Sequence, residues 1–408
     1  MKQKTKKMGL ILLLVCLLVF TATPVFAQEL PEPFCGNLST ADCDILIASQ
    51  EAMLGVESGV YNSEMNLLIS GVPGLPADEV SFNLSQDATY SFDPKLVAGL
   101  AKVQMMKPEE ITANVEDVLD LLVNFYGSLG YDGHMNLVMS QEVADILSAE
   151  AQTPIPNDFD VAFRIVDGYG FLDLASLAAF APDTEGLQGW AGIDLLTLMK
   201  MGLQQGLDPN AVNAAGNSMP ASLAGFGIGN YLNSPEGRAM MEQFVKVERL
   251  RDETIDGQDV AIFRSTFDFG RFVGSPIFRD LVLSQLDTIN QAAKTDLTQD
   301  QVTEGLTMLS FVGPMLFTGL DFHSAQAIGL DDQYVHQSEF VFDWDLSSLV
   351  GVAKMVDSQG EMGLSTMLGD SAPVISFEIT SNASDFNSAP AVETPENAQI
   401  IPLEALSQ

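Results

Sequence analysis

The sequence predicts an α+β protein built around one large, curved antiparallel β-sheet, with helices covering its apolar face. Three observations carry this. From Tyr334 to Leu346 the chain alternates, with Tyr334, His336, Ser338, Phe340, Phe342, Trp344 and Leu346 on one side and Gln337, Glu339, Asp343 and Asp345 on the other with Val335 and Val341. Successive strand side chains point to opposite faces, so this is a long strand with one aromatic and one wet side. The same one-sided alternation recurs in about eight segments, as expected of antiparallel strands with a single buried face. The helical stretches between them follow no βαβ rhythm, which excludes a doubly wound parallel sheet.

Each element follows from its local pattern. Thr40 to Ser58 reads as a first helix, with Ile45, Leu46, Ala48, Met53 and Leu54 apolar. Tyr61, Met65, Leu67 and Ile69 then share one strand face, and Val80, Phe82 and Leu84 another beyond the turn from Gly71 to Pro76. Pro108-Glu109-Glu110 opens a helix running to Phe125, with acids where the helix dipole favours them. Met135, Leu137 and Met139 form the next strand face, followed by a short helix near Glu142 to Leu147. Asp158 to Leu174 is a hairpin with Val161, Phe163 and Ile165 inward and a turn at Asp167-Gly168-Tyr169-Gly170. Trp190 to Asp194 leads into a helix at Leu195 to Gln205, and Gly206 to Pro235 is loop-like in composition. A helix at Glu236 to Val245 enters a second hairpin through Asp256-Gly257, whose outgoing strand aligns Phe263, Phe267 and Phe269. Helices at Pro276 to Lys294 and Thr298 to Phe317 precede the strand from Phe322 to Ile328, the turn from Gly329 to Asp332 and the aromatic strand. After a helical or loop segment from Ser347 to Leu368, Val374 to Thr380 closes the sheet with Ile375, Phe377 and Ile379 on one face. The tail from Pro390 is extended.

The N-terminus reads as a secretory signal spanning residues 1–27. Lys2, Lys4, Lys6 and Lys7 precede the apolar run from Met8 to Phe20, and Val25-Phe26-Ala27 offers a small-residue cleavage site before Gln28. Leu13-Leu14-Val15-Cys16 lacks the small residue needed just before an acylated cysteine, so export followed by cleavage is the reading. Leu306 to Leu320 is apolar but interrupted by Pro314, and it falls short of the roughly 20 residues that span a bilayer. An exported chain that keeps Cys35 and Cys43 most simply joins them in one disulfide. Residues 28–408 read as one elaborated domain, with a helical insertion near 275–318 and an extended tail from 390.

The chain carries 55 acidic against 18 basic residues, a formal net charge of −37. Such a field repels nucleic acid and anionic membranes and keeps the protein in solution. Asp331-Asp332 and Asp343-Trp344-Asp345 lack the ligand spacing of a calcium loop. The motifs HExxH and GxSxG and a Gly-rich phosphate loop do not occur. Gly369-Asp370-Ser371-Ala372-Pro373 lacks the glycines of a serine nucleophile loop and reads as a turn. The many carboxylates offer material for a glycosidase pair, but no spacing singles out two of them. Of the three histidines, His134 falls on a wet face, His323 has no partner pattern, and His336 reads as a core histidine bonded to a backbone carbonyl. No enzyme activity, cofactor or metal is expected.

Several segments resemble the LolA-like lipoprotein-carrier fold, and more closely the LppX/LprG-type lipid-binding lipoproteins. Val247 to Phe263 is similar to that family's strand–Gly turn–strand hairpin, and Ile328 to Val335 to its strand pair turning at an acidic dipeptide. Ile375 to Ile379, Ser384-Asp385-Phe386-Asn387, Val392 to Pro395 and Pro395-Glu396-Asn397-Ala398 resemble its closing strand and exit. The turn at Gly168 to Leu172 and Trp190 echo its central hairpin. The resemblance implies a half-barrel sheet whose concave face, lidded by helices, accepts acyl chains or a lipidated partner. The family binds by apolar lining, so it carries over no catalytic residue.

The leading expectation is therefore an exported, soluble carrier or sensor of a hydrophobic ligand. Its expected lining is Met65, Leu67, Phe82, Met135, Leu137, Phe163, Phe263, Phe267, Phe340, Phe342 and Trp344. One alternative is a cell-envelope structural or interaction protein with a filled core and an acidic surface for a cationic partner or calcium. A secreted hydrolase with paired carboxylates is the third.

Overall fold

The computed structural model describes residues 33–72, 79–93, 95–96, 99, 114–151, 154–177, 189–198, 235–286, 290, 297–348, 350–351 and 373–402. The expected signal segment with Cys16, nearly all of Gly206 to Pro235, and most of Ser347 to Pro373 lie outside these residues. Helix α1 (Thr40–Leu54) starts at Ser39, whose hydroxyl accepts from the Asp42 N–H, and stops at Gly55. It is shorter than the helix expected over Thr40 to Ser58, because strand β1 already begins at Ser58.

The first half continues as β1 (Ser58–Ser70), β2 (Glu79–Ser91), α2 (Val115–Ser128), β3 (Gly130–Met139), α3 (Gln141–Ala151), β4 (Asp158–Val166), β5 (Tyr169–Asp173), α4 (Leu174–Leu177) and β6 (Trp190–Asp194). The second half begins with α5 (Pro235–Phe244), β7 (Val245–Arg249), β8 (Glu253–Ile255) and β9 (Gln258–Phe267). Helices α6 (Phe269–Val273), α7 (Pro276–Ser284) and α8 (Gln299–Leu316) follow, then β10 (Leu320–Gly329), β11 (Val335–Asp345), β12 (Val374–Ser384) and β13 (Gln399–Ile400). The α6–α7 junction is set by Asp268 and Ser275, each capping the next helix, with Pro276 in the first turn of α7.

All these strands form one 13-stranded sheet in the order β13-β6-β5-β4-β3-β2-β1-β12-β11-β10-β9-β7, with β8 also on β9. Every pairing is antiparallel except β13 on β6. Strand β12 joins the halves, pairing with β1 on one side and β11 on the other. About eight strands were expected; the shortest ones, of two to five residues, carry too little alternation to read. The tail expected to be merely extended ends as β13. Both short hairpins turn on two residues in the left-handed region, Asp167-Gly168 and Asp256-Gly257, which matches the twist of the flanking strands.

One face of the sheet carries the core, and it is called the inner face below. Tyr90, Tyr131, Met135, Val161, Phe163 and Ile165 on β2 to β4 pack there with Phe125 of α2 and Val143 and Ala144 of α3. A second cluster of Ala261, Phe263 and Ile328 lies under Ile45 and Leu46 of α1. Arg249 on β7 fixes that helix by donating to Asp42 at 2.7 Å while also holding Asp252. The two cysteines of the N-terminal segment, Cys35 and Cys43, are paired with Cα atoms 5.4 Å apart.

The segment after β12 straps the ends together. Asn387 accepts from the Glu57 N–H through its side chain, and its own N–H donates to Ser58 O. Phe386 stacks on Tyr334 at 4.5 Å and meets His336 edge-on at 5.3 Å. On the face opposite the core, Arg164 donates to Asp132 at 2.6 Å and to Glu393 O at 2.8 Å, with its guanidinium over Trp190. Thus the motifs that carried the family resemblance serve here as clasps.

Candidate functional site

The register of the central strands builds the site row by row. Leu84, Met65, Ile379 and Phe340 form one row of the inner face across β2, β1, β12 and β11. Phe82, Leu67, Phe377 and Phe342 form the next, and Val80, Ile69, Ile375 and Trp344 the third. All twelve side chains are apolar and all are only half-buried. This is an apolar trough four strands wide, in contrast to the tightly buried clusters beside it. Monomeric proteins rarely leave so large a contiguous apolar patch without a use for it.

Two walls flank the trough. On the β3 side stand Leu137 and Met139 with the core under α2 and α3. On the β10 side is an aromatic wall: Phe322 meets Phe340 and Phe342 edge-on, Phe269 packs on Phe322 at 4.9 Å, and Phe317 stacks on Trp344 at 5.2 Å. Phe267 and Phe272 continue it toward Phe244. Edge-to-face and offset pairs of this kind hold rings rigidly. Helix α6 and the end of α8 therefore build this side wall together with β9 and β10, and Phe317 on Trp344 joins it to the trough.

All eleven residues expected to line a ligand site lie on this inner face. Met65, Leu67, Phe82, Phe340, Phe342 and Trp344 are brought together in the trough, with Leu137 and Phe267 half-buried in its walls. Met135, Phe163 and Phe263 are buried at 4–6 % exposure within the core clusters and do not border the open part. The rows also contain Ile69, Val80, Leu84, Ile375, Phe377 and Ile379, which were not singled out. Alternation places them on one face of their strands, but only the register shows that β12 sits between β1 and β11.

Apart from His336, which is turned to Asp332, no inner-face residue of β1 to β4 or of β10 to β12 is an Asp, Glu, Lys, Arg or His. The outer face of the same strands is polar: Asn83 donates to Asn66 and Glu64, Asn62 to Asp87, and Asn136 to Asp158. A shallow pocket of about 270 Å³ opens near the strand ends among Asn66, Leu68, Ser81, Asn83, Val138 and Ser140, most of which belong to that outer face. Leu67 and Phe82 of the trough and Met139 of its wall also border it, so it lies at the strand ends where the two faces meet.

The histidines correct the sequence reading. His336 faces the Asp332 carboxylate at 2.9 Å rather than a backbone carbonyl, and Asp332 also accepts from Gln258 and the Tyr334 N–H. Gly329 permits this, since a Cβ there would lie 2.1 Å from Asp332 Oδ1. His323, expected to have no partner pattern, is buried with Nδ1 2.8 Å from Asp321 and Nε2 3.6 Å from Glu339. Its partners sit two residues away and on a neighbouring strand, the first readable as i, i+2 alternation and the second only from the register. His134 pairs with Asp160 on the exposed outer face. Among the described residues no three His, Cys, Asp or Glu side chains come together as a metal site, and no helix is long and apolar enough to cross a membrane.

Beside the trough, burial pushes the Tyr90 phenol up to about 12, and pushes Tyr131 up as well against a hydrogen bond from Gln86. Both remain neutral donors or acceptors near neutral pH. Chemically the site offers an uncharged, ring-rich surface suited to adsorbing hydrocarbon.

No protein-family model and no curated protein matches the chain. Among solved structures, it is similar to LprF from Mycobacterium bovis, with 10% identity over 88% of this chain and 98% of that one and a TM-score of 0.32. It is similar also to the Mycobacterium tuberculosis lipoprotein LppX, of the type that its sequence resembles, with 10% identity over 86% of this chain and 97% of that one and a TM-score of 0.27.

Proposed function

We propose that this protein is an exported carrier or sensor of a hydrophobic ligand, a lipid acyl chain or a lipidated partner, held in the trough over β2, β1, β12 and β11. The observation that carries this is the set of three contiguous apolar rows left only partly buried between two packed walls. Fully burying one large apolar side chain is worth roughly 1.5–3 kcal/mol, so leaving twelve of them incompletely covered forfeits part of that stability, which a ligand would restore. The proposed contacts are the twelve row residues, with Leu137 and Phe267 at the walls. The site would work by binding rather than by chemistry. The paired Cys35 and Cys43 fit a disulfide formed in an oxidising compartment, in keeping with export and removal of residues 1–27.

Native mass spectrometry of the purified protein, before and after solvent extraction, tests the proposal. A co-purifying lipid that extraction removes, accompanied by a fall in thermal midpoint, is the expected result. A ligand-free mass that persists after incubation with mixed lipids would refute it.

The outer face supports a second reading, in which the protein docks a cationic partner. Its central strands carry Glu64, Asp87, Asp158, Glu378 and Asp343 over a polar surface. Association with a polycation that salt abolishes would favour it, and salt-independent behaviour would remove it.

A further inference from the structure

The inner face changes character along the strands. One row beyond the apolar rows, the register aligns Gln86, Ser63, Ser381, Ser338 and Gln326 across β2, β1, β12, β11 and β10. The Ser63 and Ser381 hydroxyls lie 3.2 Å apart, and the Tyr61 hydroxyl reaches Ser381 at 3.3 Å. Gln86 is buried and donates to Tyr131. Toward β10 the row opens, Ser338 being half-buried and Gln326 exposed. A polar row across five adjacent strands is out of place on an apolar sheet face unless something polar meets it.

Taking the trough as a ligand site, on which this inference rests, we propose that the row determines specificity. It would hold an uncharged hydrogen-bonding group, an ester or a hydroxyl, of an amphiphile whose chain lies along the apolar rows. Hydroxyls and carboxamides both donate and accept, matching ester carbonyls and alcohols alike. A carboxylate or phosphate headgroup would lose its water against a row that offers no unpaired cation, within a chain of formal charge −37. The nearest basic groups are His336, turned to Asp332, and Arg249, beyond Phe263 in the same register and held by Asp42 and Asp252. A cationic headgroup would likewise meet only carboxylates that are already paired. A bare hydrocarbon would leave the open end of the row, Ser338 and Gln326, unsatisfied, whereas Gln86, Ser63 and Ser381 already bond to Tyr131, to each other and to Tyr61. From the polar row at Ser63 to the last apolar row at Ile69 is about 20 Å, of which the apolar rows from Met65 cover about 13 Å, room for most of a long acyl chain.

The test compares amphiphiles of one chain length. The purified, solvent-extracted protein is loaded with the neutral probe N-phenyl-1-naphthylamine. The probe is then displaced by monopalmitoylglycerol, palmitate or hexadecyltrimethylammonium, each below its micelle-forming concentration. Monopalmitoylglycerol should displace it at a concentration at least about tenfold lower than either ion, the factor that one good hydrogen-bonding interaction supplies. In Ser338→Val that ratio should shrink to about threefold or less, and Ser338→Thr should retain it. Reading the ratio within each variant removes differences in stability. Equal displacement by palmitate, or an undiminished ratio in Ser338→Val, would overturn the assignment of the row. Failure of the probe to bind at all would instead overturn the carrier reading, and the row's role with it.

Discussion

Asn387 shows how much one polar side chain carries at the junction of α1 and β1. Its Oδ1 accepts from the Glu57 N–H at 2.6 Å, its Nδ2 reaches Gly55 O at 3.3 Å, and its backbone sits at φ 58°. Asparagine tolerates that left-handed conformation, whereas alanine does not. Asn387→Ala should therefore cost about 2–3 kcal/mol, one part from orphaned backbone groups and one from strain; urea unfolding should show a lower midpoint at unchanged m-value. Asp42 gives a pH-dependent counterpart. The Arg249 hydrogen bond holds its carboxyl below the ordinary aspartate range, with Ser39 assisting. A depressed folded pKa means that the stabilisation is present above the unfolded value, roughly pH 4, and is lost as pH falls through the folded value. Wild type should thus lose thermal stability below pH 4 more steeply than Arg249→Gln, which lacks the pair; parallel curves would deny Asp42 this role.

At the level of elements, β2 and β3 expose a consequence of burying phenols. Tyr90 and Tyr131 face each other across the β2–β3 ladder, and burial raises both phenols. A raised folded pKa favours the neutral form, so the contribution is intact below the unfolded value near 10 and is lost as pH rises toward 12. Ultraviolet titration of the seven tyrosines should show Tyr90 ionising only near pH 12, and Tyr131 only well above the ordinary tyrosine range or with unfolding; seven titrating together near 10 would contradict the packing. Such elements were legible to different degrees. Phe340, Phe342 and Trp344 announced their strand and its apolar side because alternation is a local property. The hairpin turns were equally plain from Asp256-Gly257, where φ must be positive twice. The neighbours of each strand were not legible, because β12 reaches β1 across more than 300 residues. Hence Phe377 was assigned a strand face but not a place in the trough, and Met135 and Phe163, expected to line the ligand site, are buried in the cluster with Phe125 of α2 and Val143 of α3. The polar row was hidden for the same reason, since Ser63, Ser338 and Ser381 look like unrelated interruptions until the register aligns them.

Across the whole molecule, charge is sorted by side of the sheet. The inner face of the seven central strands carries no Asp, Glu, Lys or Arg, so the charges of these strands fall on their outer face, in a chain with 55 acids against 18 bases. Folding concentrates that like charge, and the compact state bears the repulsion more than the expanded chain does. The ion pairs that oppose it are mostly exposed, as at Arg279–Asp280 and Lys246–Glu248, and exposed pairs contribute little. Repulsion should therefore outweigh attraction. Raising sodium chloride from about 0.01 M to about 0.15 M shortens the screening length from about 30 Å to about 8 Å, which removes long-range repulsion while leaving contact pairs largely intact. The thermal midpoint should rise by a few degrees over that interval and then level off, with no change when the same ionic strength is reached with potassium chloride. A midpoint that falls with salt would mean that paired charges, and not the acidic excess, set the electrostatic balance of the fold.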